Sequence, residues 1–184
     1  MVVAWVLVLA GSLMPAVHAV AAAEEDALVG LIKASKARLA TAEKVAHYKA
    51  VHGVAVEDIE REQAVLAAAP ALSASYGLQA DDARQFFVHQ IEANKWIQFS
   101  LLADWAVSGD LPGGPVPDLA TEVRPALDRL QTELLEGLAR VAHIRAQASC
   151  AQTVSRAIYA YAESESLGPV QRAALVRSLA GVCN

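Results

Sequence analysis

The stretch from Arg38 to Lys49, RLATAEKVAHYK, decides the fold. Wound as a helix, it lines up Leu39, Ala42, Val45 and Ala46 on one apolar stripe, a period near 3.6 and not 2. The same winding places Arg38 and Lys49 on that inward side. Eleven residues make about three turns, so the two cations share a face roughly 16 Å apart along the axis. Long helical cations usually lay their stems along apolar surface and keep the charge in water. On one helix alone that reading suffices.

Outward from this stretch the pattern continues. Upstream, the stripe reads Leu28, Leu31, Ile32 and Ser35, which predicts a first helix from about Glu24 to His52, ended by Gly53. A second helix is predicted over about Glu57 to Ala69, stopping near Pro70. A third begins at Asp81-Asp82, whose charges suit a helix N-terminus, and runs through Phe87, Ile91, Asn94, Gln98, Leu101, Leu102 and Trp105. SGDLPGGPVPD (108–118) then breaks the pattern as a surface loop. It lacks the Gly-Lys-Ser/Thr ending of a phosphate cradle and follows a helix instead of a strand. A fourth helix spans about Leu119 to Ala148, with Pro125 in its first turn and Leu127, Leu130, Leu134, Leu138 and Val141 inward. Two shorter helices follow, about Ala151 to Glu165 and Pro169 to Val182. No stretch alternates like a strand. The expectation is an all-α, single-domain bundle of about six helices with one long N-terminal helix.

The chain has 184 residues, enough for one domain with a core, and a net charge of −5, which argues against a nucleic-acid partner. No Lys, Arg, Asp or Glu precedes Glu24, and the apolar run there is about ten residues, short of the roughly 20 that span a bilayer. Val17-His18-Ala19 and Ala19-Val20-Ala21 read as cleavage sites, so residues 1–22 are expected to be a cleaved signal peptide and 23–184 the helical domain. That places the mature chain in the periplasm or outside the cell, with no membrane partner after cleavage. In such a compartment the two cysteines, Cys150 and Cys183, are expected to form one disulfide. Closing a loop of this length contributes roughly 3–4 kcal/mol.

Polar residues recur on inward stripes. Asn94 and Gln98 are one turn apart between Ile91 and Leu101; Asp58, Arg61 and Glu62 flank the inward Val65 and Leu66; Arg124 precedes Pro125. A buried amide without partners costs about 1–3 kcal/mol, so a shared pocket explains the set better than chance. Its excess of Arg and Lys asks for an anion, and guanidinium geometry favours carboxylate or phosphate. The five histidines make no His-x-x-x-His pair and none lies near Cys at zinc spacing, so no metal is expected. Trp96 and Trp105 read as core or interface.

The spacing Arg38, Lys49, Asp58, Arg61-Glu62 resembles the all-helical chorismate mutases, as does Asn94 with Gln98 in QIEANKWIQ. PDLATEVRPALDRL (117–130) is similar to the segment in the secreted subclass that supplies an extra Arg from the same chain. The resemblance covers the mature chain and implies an isomerase: the Claisen rearrangement of chorismate to prephenate, without cofactor or metal, within the shikimate route of aromatic amino acid biosynthesis. It implies that Arg38 and Arg124 clamp the two carboxylates, with Arg129 as the alternative to Arg124. Arg61 supports the carboxylate end, Lys49 and Gln98 donate to the ether oxygen, Glu62 and the backbone near Asp58 hold the ring hydroxyl, and Asn94 lies near a carboxylate. Many secreted relatives carry Glu where Gln98 stands. An amide donates at any pH, which predicts a rate nearly flat between about pH 5 and 8. Relatives also imply a homodimer. Two other readings stay open from sequence: an isochorismate pyruvate lyase of the same fold, and a non-catalytic secreted binder of a small dicarboxylate or host partner.

Overall fold

A computed structural model describes the backbone of residues 14–183 and the side chains of residues 22–183. Seven α-helices and no strand occur among the described residues: α1 (Met14–His52), α2 (Ile59–Ser73), α3 (Ala80–Ser108), α4 (Arg124–Arg140), α5 (Ala142–Arg145), α6 (Cys150–Ser164) and α7 (Pro169–Ser178). α1 packs on α3 and α4, and α3 in turn holds α2 and α7. Leu28, Leu31 and Ile32 of α1 meet a core that includes Phe86 and Phe87 of α3, Leu134, Leu135 and Leu138 of α4, and Leu175 of α7. A Cβ on Gly137 would stand 3.0 Å from Leu31 Cδ1, so glycine lets α4 lie close against α1.

Four boundaries depart from the sequence pattern, the plainest being α7, which ends at Ser178 and not near Val182. α1 begins at Met14, not near Glu24, because the Ala- and Val-rich run before Glu24 contains no helix breaker after Pro15. The proposed signal peptide therefore lies partly outside the described residues and partly in this helix. α2 passes through Pro70 and continues to Ser73, whose Oγ donates to the Pro70 carbonyl at 2.8 Å. A short 3₁₀ turn, Ala74–Tyr76, follows, and Gly77 stops the chain at φ 66°. A proline forfeits one helical bond near the end of an already exposed helix, which the last turn tolerates.

The fourth predicted helix is three pieces: a wide π-type turn (Leu119–Val123), α4, and the single-turn α5 after Val141. The break aims Arg145 at the C-terminal segment, where its Nε donates to the Val182 carbonyl at 2.8 Å and its Nη2 pairs with Asp82 at 2.6 Å. Pro125 does sit in the first turn of α4. Cys150 and Cys183 are joined, with Cα atoms 5.7 Å apart, and tie the start of α6 to the chain end.

Candidate active site

The lower half of α1 carries its cations inward. Arg38 and Lys49 are each only 6 % exposed, which settles against snorkelling. Arg38 Nη1 donates to the Gln90 carbonyl of α3 at 3.0 Å. Burial, with the neighbouring Arg61 guanidinium adding repulsion, pushes Arg38 down to about 10. Lys49 Nζ donates to the Val56 carbonyl in the loop after α1. Burial lowers its pKa, and the carboxylates of Asp58, Glu62 and Glu57 oppose that. Among the described ion pairs none involves Arg38, Lys49 or Arg124.

α2 presents its first turn to the same space. Asp58 caps it, accepting from the Arg61 N–H at 3.1 Å, while Glu62 reaches back to the Asp58 N–H at 3.4 Å. The Asp58 carboxylate is thus engaged by its own helix. Arg61 turns outward at its tip to Asp128 of α4, at 2.9 Å, and keeps its Nε buried without a partner. Glu62 is held from the other side by Lys95 of α3 at 3.2 Å.

α3 supplies amides. Asn94 Nδ2 donates to the Arg38 carbonyl at 3.0 Å, and Gln98 Nε2 donates to Asn94 Oδ1 at 2.8 Å. Both residues are buried, and Gln98 Oε1 has no protein partner. The wide turn completes the wall. Asp118 Oδ1 accepts from the N–H groups of Ala120 and Thr121, which holds its carboxyl below the usual carboxylate range and fixes the turn that leads into Arg124.

These elements surround one pocket of about 660 Å³ including its open mouth. Arg38, Lys49, Asp58, Arg61, Glu62, Asn94, Gln98 and Arg124 all line it, with Val45, Val56, Val65, Ile91, Leu119, Val123 and Leu127 as apolar walls. Arg129 does not line it and is exposed on α4, so of the two candidates for the second carboxylate clamp the structure brings only Arg124 to the pocket. A hollow between the loop after α1 and the wide turn shares Lys49, Asp58, Leu119 and Arg124 with it.

Sequence reasoning missed Lys95 and Thr41. Lys95 lines the pocket and bridges Glu62 and Glu92. It stands one residue past Asn94, where helical periodicity reads an outward face; only its long stem brings the ammonium back. Thr41 lies three residues after Arg38, and its hydroxyl bonds the Arg38 carbonyl at 2.8 Å, the short backward reach Thr favours on helices. Five cations against two carboxylates line the wall, an arrangement suited to a small molecule with more than one negative charge. Among the described residues no group of three or more His, Cys, Asp or Glu is placed to hold a metal ion.

Residues 29–98 match the family described as chorismate mutase type II. A secreted chorismate mutase of Mycolicibacterium smegmatis is 30 % identical over 156 residues, covering 85 % of this chain and 86 % of that one. The crystal structure of a chorismate mutase from Burkholderia phymatum superposes with a TM-score of 0.83 at 41 % identity, covering 88 % of this chain and 99 % of that one. The one from Burkholderia thailandensis gives 0.81 at 38 % identity, covering 85 % and 99 %.

Proposed function

The chain belongs to the chorismate mutase family, an isomerase, and we propose that it rearranges chorismate to prephenate in the pocket between α1, α2, α3 and the start of α4, outside the cytoplasm. The observation that carries this reading is the convergence of two buried cations without acidic partners, Arg38 and Lys49, with Gln98 and Arg124 on one cavity. Chorismate is a dianion. Arg38 and Arg124 each take one carboxylate, and Arg61 supports the same end. The reaction breaks a C–O bond while a C–C bond forms, and negative charge grows on the ether oxygen. Lys49 and Gln98 donate to that oxygen from fixed positions, so little reorganisation is needed as charge develops. Glu62 accepts from the ring hydroxyl; Asp58 acts by setting the first turn of α2. Holding the enolpyruvyl arm over the ring adds a positioning effect.

The export reading rests on the charge-free stretch before Glu24, the Cys150–Cys183 disulfide and the secreted character of the mycolicibacterial relative. No helix among the described residues is long and apolar enough to cross a membrane. We further propose assembly as a homodimer, which the molar mass in solution tests.

The test is product identity. Purified protein incubated with chorismate yields prephenate, and the Lys49→Ala variant loses about 2.7–4 kcal/mol of transition-state stabilisation, some hundredfold or more in kcat. Pyruvate and salicylate from isochorismate, with no prephenate from chorismate, would replace this reading with the lyase. Binding of chorismate without turnover would leave a binder.

A further inference from the structure

We propose that Thr41 and Asn94 are positioning residues that lock the Gln98 carboxamide with its N–H groups, and not its oxygen, committed toward Asn94 and the reacting oxygen. The inference rests on the functional reading above and assigns Asn94 a role other than contact with a substrate carboxylate.

The direction of the chain of hydrogen bonds follows from what each group can do. The Arg38 carbonyl can only accept. The Thr41 hydroxyl donates to it at 2.8 Å, which leaves the Thr41 oxygen as an acceptor. Asn94 Nδ2 donates to both, at 3.0 Å to the Arg38 carbonyl and 3.3 Å to Thr41 Oγ1. Because the Arg38 carbonyl can only accept, Nδ2 must face it, so the edge of Asn94 turned to Gln98 is Oδ1. Gln98 answers with Nε2 at 2.8 Å. A carboxamide that turned over at position 98 would set two oxygens against each other and forfeit this bond. The second N–H of Gln98 is therefore held in one place on the pocket wall. Asn94 is held against rotation by hydrogen bonds at both ends of its carboxamide.

Arg38 anchors the relay through its backbone, not its guanidinium, so the side chain of Arg38 and the orientation of Gln98 can be perturbed separately. Thr41 lies outside the lining residues of the pocket and acts only through Asn94.

A double-mutant cycle tests this. Asn94→Ala lowers kcat about tenfold while KM stays within about twofold, since a freed amide presents its donor only part of the time. In a Gln98→Ala background the same substitution has little further effect on kcat. Thr41→Val gives a smaller loss of kcat with KM unchanged, and Thr41→Ser restores it. Thermal unfolding of each variant separates folding from positioning, because kcat is taken per folded molecule. A rise in KM at constant kcat for Asn94→Ala would overturn the proposal and return Asn94 to the substrate carboxylate. So would equal, additive losses in both backgrounds, or a Thr41→Ser that fails to rescue. If Gln98→Ala itself turns over at the full rate, the functional reading of Gln98 falls first, and the two failures are told apart.

Discussion

The two halves of α1 carry one periodicity to opposite ends. Toward its N-terminal side, Leu28, Leu31 and Ile32 sit on the inward stripe and vanish into an apolar core against Leu134, Leu135 and Leu138. Toward its C-terminal side, the same stripe carries Arg38 and Lys49, equally removed from water but set around a cavity. Burial is alike in both halves; what differs is whether the opposing wall is filled. A filled wall makes stability. An unfilled wall lined by cations that burial strips of part of their charge preference stores electrostatic cost that an anionic guest relieves.

Substitution should separate the halves cleanly. Leu31→Ala removes a fully buried side chain beside Gly137, and its loss costs about 2–5 kcal/mol of folding stability by transfer and cavity formation. Turnover per folded molecule stays near that of the parent, read from urea titration alongside steady-state kinetics. Arg38→Met is the mirror case. It relieves a buried charge without an acidic partner, so stability holds or rises while kcat/KM for chorismate collapses. A marked loss of stability in Arg38→Met would break the contrast and make Arg38 a structural residue through its bond to the Gln90 carbonyl.

The contrast also explains how far the sequence could be read. The apolar half is legible because Leu and Ile at 3.6 spacing have one physical use. The polar half is legible as an anomaly: Arg38, Lys49, Asn94 and Gln98 violate an otherwise apolar stripe, and their spacing carried the family resemblance. Reach and breaks were not legible. Lys95 enters the pocket on four flexible carbons that no periodicity encodes, and Asp128 meets Arg61 only because α4 starts where it does. The fourth helix looked continuous because nothing local marks Val141; the turn there is fixed by Arg145 reaching the C-terminal segment, a contact long-range in sequence. Pro70 read as a stop and was only a missing hydrogen bond.

The polar half makes a smaller prediction in pH. Lys49 stabilises the charge growing on the ether oxygen as the ammonium, and burial lowers its pKa from 10.5. In the free protein the alkaline fall of kcat/KM therefore begins below the range of an ordinary lysine. A bound dianion favours the ammonium and raises the pKa again, so the fall in kcat lies at higher pH than the fall in kcat/KM. Coincident alkaline limbs in the two profiles, or an acid limb between about pH 5 and 8, would detach the rate from Lys49 and Gln98.

The smallest effect belongs to the far side of α3. There His89 accepts at Nδ1 from the guanidinium of Arg177 on α7, next in sequence to Gln90, whose Nε2 reaches the Ser178 carbonyl at 3.1 Å. Burial first, and the Arg177 charge second, lower the His89 pKa from its ordinary 6.5. The unfolded chain then takes up a proton at a higher pH than the folded one. Stability from this contact is fully present above the unfolded value and is lost as pH falls through it toward the folded value. The melting temperature should decline on acidification below about pH 6.5, and His89→Gln should flatten that decline while turnover at pH 7 is retained. The reason for the retention is geometric: His89 faces α7, on the opposite side of α3 from Asn94 and Gln98, and protonation there pushes on α7 without touching the hydrogen bonds that aim the pocket. An acid-induced loss of turnover that precedes the loss of fold, and that His89→Gln abolishes, would mean the two sides of α3 communicate after all.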